Sequence, residues 1–309
     1  MAILCLLHTL FGPRLFQAVA EALPGEEVRV WPDVGDGREI SHALIWRPQP
    51  GLFDALPNLR LVCATGAGVD HFLADPTYPR HVPLVRQIDA GFARRMADYV
   101  LAWTLFHHRD GRHYQASQHS RQWQPRAMRD AGDITVGILG LGQMGGLAAD
   151  VLAHHGFCVR GWVQRPQARP GVTVDVGPEG LTQLLAASDI LVNLLPLTPA
   201  TRGILCRDLF QRVKPGAVLI NVGRGPHLVE ADLIPALDHG HLSAAVLDVF
   251  QTEPLPEDHA FWGDPRITIT PHVSSSASET TVARHFADAI RRERAGEPLF
   301  GLVDLTRGY

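Results

Sequence analysis

Three short segments that follow predicted apolar strands carry an arginine, a glutamate and a histidine. Arg224 lies in NVGRG, Glu253 lies in DVFQTEPLP and His272 lies in ITPHV. An arginine can clamp a carboxylate and polarise the adjacent carbonyl. A histidine can donate a proton near neutral pH, and a neighbouring carboxylate orients it. Together these residue types supply what the reduction of a carbonyl group requires.

Each of the three side chains also has an ordinary structural explanation. Arg224 could form a surface ion pair, Glu253 could be a solvated loop acid and His272 could be a capping side chain. Ligands of an open parallel sheet bind at the carboxyl ends of its strands, which favours the functional interpretation. Sequence separation alone does not establish that the three side chains meet in space.

A glycine-rich loop is the most specific local motif, and it follows the apolar run ITVGIL and opens a helical pattern. Its residues are Gly140, Leu141, Gly142, Gln143, Met144 and Gly145. A strand, GxGxxG and a helix in this order are the fingerprint of a dinucleotide site. The first glycine makes the turn, the second admits the pyrophosphate and the third lets the helix pack closely. The helix N-terminus then offers N–H groups to the phosphates.

The end of the next strand distinguishes the two nicotinamide cofactors. An NAD site usually has an acidic residue there for the ribose 2′-hydroxyl, but this chain has Val163, Gln164 and Arg165. An arginine can bind a 2′-phosphate bidentately. We therefore predict NADP, bound with the help of Gln164 and Arg165, with NAD possible. The alternative is that Arg165 is a solvated turn residue and that the site accepts both cofactors.

Short apolar runs alternate with helical patterns, which is typical of βαβ units and parallel sheets. In the first part we predict a helix at 13–23 and strands at 2–7, 27–31, 42–46 and 60–63. A long helix is predicted at 91–109, and a polar stretch with little periodicity follows it. The second part has predicted strands at 134–139, 157–163, 189–194, 217–221, 243–247 and 267–270, and helices at 143–155, 178–187, 230–239 and 277–295. These two series predict an α/β fold of two doubly wound parallel-sheet domains, Rossmann- or flavodoxin-like.

Composition narrows the class of protein. The 309 residues suffice for two domains, and 46% hydrophobic with 19% charged residues is typical of a folded protein. A net charge of −4 argues against nucleic acid as a partner. Four dispersed cysteines indicate a cytoplasmic protein. The chain lacks an apolar run long enough to span a membrane, so we expect no membrane partner. Its 16 histidines lack the spacing of metal ligands, so we expect no metal.

The motifs GLGQMG, NVGRG, DVFQTEPLP and ITPHVSSSA resemble those of the D-isomer-specific 2-hydroxyacid dehydrogenase family, and the resemblance covers nearly the whole chain. LLPLTPAT resembles that family's loop near the nicotinamide. LIW at 44–46, TGAGVD at 65–70 and the tail at 303–309 are most similar to the glyoxylate and hydroxypyruvate reductases of the family. The resemblance implies NAD(P)H-dependent reduction of small 2-oxo acids, such as glyoxylate and hydroxypyruvate, to 2-hydroxy acids.

The resemblance also implies roles for individual residues. Arg224 would bind the 2-oxo acid, His272 would donate the proton as hydride reaches C2, and Glu253 would pair with His272. Asp248 would face the nicotinamide carboxamide. Further cofactor contacts are implied at Leu195, Pro196, Val222 and Gly223. Substrate contacts are implied at the backbone of Ala67 and Gly68, and Trp46 could line the substrate pocket.

Members of this family interrupt the substrate domain with the cofactor domain. We therefore expect a substrate domain of residues 1–97 plus 278–309 and a dinucleotide-binding domain of residues 98–277, with an active-site cleft between them. The resemblance also implies a homodimer formed through the cofactor domain. Trp123 could reach into the partner subunit, or it could be an ordinary buried or lid residue.

Two alternative functions use the same fold. The chain could be a dinucleotide-sensing binding protein, as are some corepressors that resemble the family, or a dehydrogenase for a different 2-hydroxy acid. The presence of Arg224, Glu253 and His272 together argues against a pure binding protein, because binding alone would not require all three.

Overall fold

The computed structural model describes residues 2–6, 12–88 and 90–305. Two compact units are present: the first comprises residues 1–92 and 276–309, and the second comprises residues 93–275. Leu7, at the end of the first predicted strand, and residues 306–309 of the tail lie outside the described residues.

The elements are as follows. The strands are β1 (Ala2–Leu6), β2 (Glu27–Val30), β3 (Ile40–Ile45), β4 (Leu61–Ala64), β5 (Leu84–Val85), β6 (Thr135–Leu139), β7 (Cys158–Val163), β8 (Val172–Val176), β9 (Ile190–Asn193), β10 (Ala217–Asn221), β11 (Leu242–Leu247) and β12 (Ile267–Ile269). The α-helices are α1 (Gly12–Ala22), α2 (Asp70–Leu73), α3 (Ala90–His108), α4 (Gly111–His119), α5 (Gln143–His154), α6 (Gly177–Ala187), α7 (Arg207–Phe210), α8 (Glu230–Asp238) and α9 (Glu279–Ala295).

The first unit is built on a five-stranded sheet of order β2-β1-β3-β4-β5, whose pairings are all parallel. This is the flavodoxin-like order. Strands β1, β3 and β4 are buried along their whole length, as expected for parallel strands that are covered on both faces. Helix α9 belongs to this unit: Ser278 caps its N-terminus, and Gly296 ends it at φ +68°, a conformation that favours glycine.

The second unit is built on a seven-stranded parallel sheet of order β12-β11-β10-β9-β6-β7-β8. The strand order reverses at β6, which lies between β9 and β7, as in a Rossmann fold. Ligands of such sheets bind at this reversal, outside the carboxyl ends of the strands. Apolar residues from the sheet and its helices form two buried clusters that include Leu191 and Ile138.

The predicted α/β fold with two parallel sheets is confirmed. Five of the strands and α-helices were not predicted: the two-residue β5, the edge strand β8, the four-residue helices α2 and α7, and helix α4 inside the polar stretch. In the described ranges, no helix is long and apolar enough to cross a membrane. The same ranges contain no group of three or more His, Cys, Asp or Glu side chains that could hold a metal ion.

Candidate active site

The glycine loop joins β6 to α5. Gly140 has φ +96°, and a Cβ atom on Gly145 would lie only 1.9 Å from the carbonyl oxygen of Gly140. Both positions therefore require glycine. A Cβ atom on Gly142, by contrast, would meet no protein atom within 4 Å, and Gly142 directly precedes Gln143, the first residue of α5. The exposed backbone at this helix N-terminus suits a pyrophosphate group.

The other two residues of this loop have structural contacts. Leu141 is buried against Gly161 of β7, where a Cβ atom would come 2.4 Å from the Leu141 side chain. Met144 is half-buried against the core. These contacts hold the loop in place and leave Gly142 and Gln143 at the surface.

Arginines near the end of β7 differ in what they bind. Arg160 pairs with the buried Asp175 of β8 through two hydrogen bonds, at 2.9 and 2.6 Å. Arg169 pairs in the same way with Asp150 of α5, at 2.7 and 2.5 Å. Arg165 is exposed, as is Gln164, and no carboxylate of the described residues pairs with Arg165. Of these three arginines, Arg165 is therefore the one whose guanidinium is available to an external anion.

His272 and Glu253 form a hydrogen-bonded pair at the carboxyl ends of β11 and β12. The distance from His272 Nδ1 to Glu253 Oε2 is 2.9 Å, and the two side chains are 21% and 17% exposed. The other carboxylate oxygen of Glu253 accepts the backbone N–H of Phe250 at 3.0 Å. This second bond fixes the carboxylate, which in turn fixes the imidazole.

The carboxylate of Asp248 organises the backbone around His272. Asp248 is fully buried and accepts the N–H groups of Val273 and Ser274, each at 2.9 Å. It also accepts the hydroxyl of Thr270, at 2.5 Å, and its own carbonyl accepts the N–H of His272, at 2.9 Å. These bonds stabilise His272 at φ +56°, which few non-glycine residues adopt. A contact between Asp248 and a nicotinamide carboxamide stays a prediction.

Tyr99 of α3 extends this network. Its hydroxyl lies 2.6 Å from Oγ1 of Thr270. Burial raises the pKa of Tyr99 to about 12, and the hydrogen bond to Thr270 opposes that shift only in part. The hydroxyl is therefore protonated at neutral pH and remains a hydrogen-bond partner of the segment that carries His272.

Arg224 lies on the loop after β10, the neighbour of β11 in the sheet. It is half-buried, and its guanidinium donates to the carbonyl of Gly223 at 2.7 Å. At the next residue, Gly225, a Cβ atom would come 1.9 Å from the carbonyl carbon and oxygen of Phe250. The loop of Arg224 and the loop of Glu253 are therefore in direct backbone contact, which sets the spacing of the two segments.

A buried polar cluster lies between the loops that follow β9 and β10, and we call it the Asn–Asn–His cluster. It consists of Asn193, Asn221 and His227, each fully buried. Asn193 Nδ2 donates to Asn221 Oδ1 at 2.9 Å and lies 2.9 Å from His227 Nδ1. Leu195 donates its N–H to Asn193 Oδ1 at 3.3 Å. The cluster thus contacts the backbone of both loops.

Backbone contacts also place Leu195, Val222 and Gly223, three further residues that are predicted to contact the cofactor. Val222 is buried, and its N–H donates to the carbonyl of Asn193 at 3.3 Å. A Cβ atom on Gly223 would lie 2.8 Å from Asn193 Nδ2. A Cβ atom on Gly140 would lie 3.2 Å from Leu195 Cδ2. The glycine loop, Leu195 and the Val222–Gly223 turn are therefore brought together at the reversal of the second sheet.

Three substrate candidates lie in the first unit. Trp46 follows β3, and Ala67 and Gly68 follow β4, the adjacent strand. The Trp46 ring packs against this turn, because a Cβ atom on Gly66 would come 3.0 Å from Trp46 Cζ3. The turn and the tryptophan are therefore neighbours within this unit, at the carboxyl edge of its sheet.

Comparison with known proteins shows the family of this chain. Residues 101–274 match the sequence family described as D-isomer specific 2-hydroxyacid dehydrogenase, NAD binding domain. The chain is 41% identical to glyoxylate/hydroxypyruvate reductase A of Serratia proteamaculans, over 98% of both chains. It belongs to the D-isomer specific 2-hydroxyacid dehydrogenase family.

Solved structures of the family extend the comparison to the fold. A member from Xanthobacter autotrophicus, in complex with NADPH and MES, has a TM-score of 0.93 and 41% identity, with 100% of this chain and 99% of that chain covered. An NADPH-dependent glyoxylate/hydroxypyruvate reductase from Sinorhizobium meliloti, in complex with NADP and sulfate, has a TM-score of 0.92 and 38% identity, with 100% of both chains covered.

Sequence reasoning missed several polar residues of this 2-hydroxyacid dehydrogenase. Asn193 and Asn221 carried a usable signal, because each ends an apolar strand where a buried polar side chain needs a partner. Tyr99 and His227 carried none, since a tyrosine on a helix and a histidine in a turn are common. Their partners come from distant parts of the chain.

Proposed function

We propose that this chain reduces small 2-oxo acids, glyoxylate and hydroxypyruvate, to 2-hydroxy acids with NADPH as the preferred reductant. The second unit would hold the cofactor, and the turn at Ala67 and Gly68 of the first unit would hold the substrate carboxylate. The observation that carries the proposal is the 2.9 Å hydrogen bond between His272 and Glu253, because an acid–base pair of this kind suits proton donation to a carbonyl. The names of the relatives indicate the substrates.

Each side chain has a defined task in this reaction. The glycine loop and the N-terminus of α5 would hold the pyrophosphate, and the bound reduced nicotinamide would supply a hydride for the carbonyl carbon. Arg224 binds the substrate carboxylate and stabilises the negative charge that develops on the carbonyl oxygen. His272 protonates that oxygen from Nε2, since its Nδ1 is hydrogen-bonded to Glu253. Asp248 holds the His272 backbone.

The test is the initial rate of NADPH oxidation with glyoxylate and with hydroxypyruvate, repeated with NADH. Fast turnover with a clear preference for NADPH would support the proposal. Tight NADPH binding without turnover would argue for a different 2-oxo acid or for a dinucleotide-sensing protein. A panel of longer 2-oxo acids separates these two outcomes, because only a dehydrogenase oxidises NADPH with any of them.

Arg165 is the proposed contact of the NADP 2′-phosphate. Arg165→Ala is expected to raise the KM for NADPH by about 10- to 100-fold, the effect of losing a charged hydrogen bond, and to change the KM for NADH less than about twofold. Steady-state kinetics with both cofactors measure this. Arg212→Ala, at another exposed arginine of the second unit, serves as the control. Equal effects of Arg165→Ala on both cofactors would contradict the assignment.

The proposal includes a homodimer formed through the segment after α4. Residues 121–130 are all exposed, and Trp123 is 96% exposed. The segment is nevertheless anchored, because Arg126 pairs with Asp110 at 2.9 Å and donates its N–H to Tyr114 at 3.2 Å. Trp123 and Met128, which is 68% exposed, place two large apolar side chains on this anchored segment, and exposed apolar groups rimmed by polar residues are typical of an interface. We propose that a second copy of the chain covers this segment in a symmetric dimer.

Light scattering after gel filtration is expected to give the mass of a dimer. Trp123→Ser should shift the population toward monomer, whereas Trp262→Ser, at a tryptophan that is 55% exposed in the same unit, should not. A monomeric wild-type protein would overturn this part of the proposal. A cytoplasmic location also belongs to the proposal, and the four unpaired cysteines support it.

A further inference from the structure

Backbone groups determine which ring nitrogen of His227 carries the proton. The N–H of Arg224 can only donate, and it lies 3.1 Å from Nδ1. The carbonyl of Pro196 can only accept, and it lies 3.2 Å from Nε2. Nδ1 is therefore unprotonated and Nε2 is protonated, which defines a neutral ring with a single tautomer.

The amide of Asn193 leads to the same conclusion. Because the N–H of Leu195 donates to its Oδ1, the other end of the amide, Nδ2, is the group that faces His227 Nδ1. Two donors thus point at this nitrogen. A protonated Nδ1 would oppose both of them in a fully buried site, where an unpaired polar group is strongly disfavoured.

His227 joins the two loops that carry the proposed chemistry. Through Nδ1 it holds the backbone of Arg224, and the N–H of His227 returns a bond to the Arg224 carbonyl at 3.1 Å. Through Nε2 it holds Pro196, whose carbonyl also accepts the hydroxyl of Thr201 at 2.7 Å. One side of the ring therefore faces the substrate loop, and the other side faces the predicted nicotinamide loop.

We infer that His227 is a positioning residue that couples the substrate and cofactor loops through its neutral Nε2–H tautomer. This inference rests on the proposed function, since it presumes that Arg224 binds the 2-oxo acid and that the loop at Pro196 contacts the nicotinamide. His227 itself touches neither ligand in this scheme. Its effect on each ligand passes through a separate ring nitrogen, and the two effects are therefore separable.

Two substitutions of His227 each preserve one of the two hydrogen bonds made by its ring nitrogens. In His227→Asn, the short amide can place its oxygen near the position of Nδ1 and still accept the Arg224 N–H, but it cannot reach Pro196. In His227→Gln, the longer amide can donate to Pro196 from near the position of Nε2, but it offers no acceptor to Arg224. His239→Asn and His239→Gln, at an exposed histidine, are the matched controls.

Each variant is expected to weaken the binding of one ligand and to leave the binding of the other unchanged. His227→Asn should raise the KM and the Kd for NADPH about five- to tenfold, the factor that corresponds to one intramolecular hydrogen bond, and leave the KM for glyoxylate nearly unchanged. His227→Gln should raise the KM for glyoxylate by a similar factor and leave the Kd for NADPH nearly unchanged. Equal changes in both constants, or loss of folding in both variants, would show a structural role and overturn the inference.

Binding and tautomer measurements separate this inference from the proposed function. The Kd for NADPH, measured by its fluorescence, and the Kd for oxalate, used as an inert mimic of a 2-oxo acid, need no turnover. If the wild-type protein binds both but reduces neither glyoxylate nor hydroxypyruvate, the proposed function fails while the two variants still test the coupling. In 15N spectra of histidine-labelled protein at neutral pH, the signal lost in His227→Gln should be that of the Nε2–H tautomer. An Nδ1–H tautomer or an imidazolium would overturn the inference.

Discussion

Replacement of His272 by alanine is expected to lower kcat about 100- to 10,000-fold, the range that a positioned general acid supplies, while the Kd for NADPH stays within about twofold. The reason is local. The imidazole is the group that Glu253 orients, through the 2.9 Å bond to Nδ1, whereas the backbone around residue 272 is held by Asp248 through bonds that alanine retains.

Single-turnover kinetics and NADPH fluorescence measure the two parts of this prediction. The chain offers a matched control, because His259 of the same unit also faces a carboxylate, Glu230, at 3.6 Å, with 24% and 20% of the two side chains exposed. His259→Ala should leave kcat within about threefold, as expected for a weak pair of this exposure. Turnover of His272→Ala within a few-fold of wild type would rule out His272 as the proton donor.

Most of the fold could be predicted from the sequence, because strands that are buried in a parallel sheet consist of consecutive apolar residues. The run AVLIN became β10, and all five of its residues are buried. The glycine loop was predictable for a similar reason, since Gly140 and Gly145 satisfy backbone constraints that no other residue type can meet. Burial of a strand and a tight backbone turn each restrict the residue types at consecutive positions, so both can be recognised from the sequence.

Elements that are stabilised by residues distant in the sequence have a weaker local sequence pattern. Helix α4 buries only Ser117 among its residues, so it has no apolar periodicity to detect. Strand β8 is a five-residue edge strand in which the one buried residue is Asp175, not a valine. The arginine that pairs with this carboxylate lies on β7. The same limit applies to the site, where His227 joins the nearby Arg224 to Asn193 and Pro196, which are 34 and 31 residues away in the sequence.

The close approach of Gly225 to Phe250 leads to the second large effect. In Gly225→Ala, the new Cβ atom would lie 1.9 Å from the carbonyl carbon and oxygen of Phe250 and 2.5 Å from the N of Gln251. All three are backbone atoms, so a rotamer change cannot relieve the clash and the two loops must separate. A shift of about 1 Å between the Arg224 and Glu253 segments is expected to lower kcat/KM about 100-fold, and overpacking of this kind destabilises a protein by about 1–3 kcal/mol.

Gly263→Ala provides the control, because a Cβ atom at Gly263 would meet nothing within 4 Å. Urea unfolding and steady-state kinetics on both variants then separate stability from positioning. If the clash acts on the active site, Gly225→Ala should retain its affinity for NADPH, because the atoms that its new Cβ atom would meet belong to Phe250 and Gln251 and not to the glycine loop. It should nevertheless lose kcat/KM at temperatures where it is fully folded. A Gly225→Ala protein with wild-type kcat/KM would mean that the spacing of the two loops does not limit the reaction, and the catalytic assignment of Arg224 would then lose its structural basis.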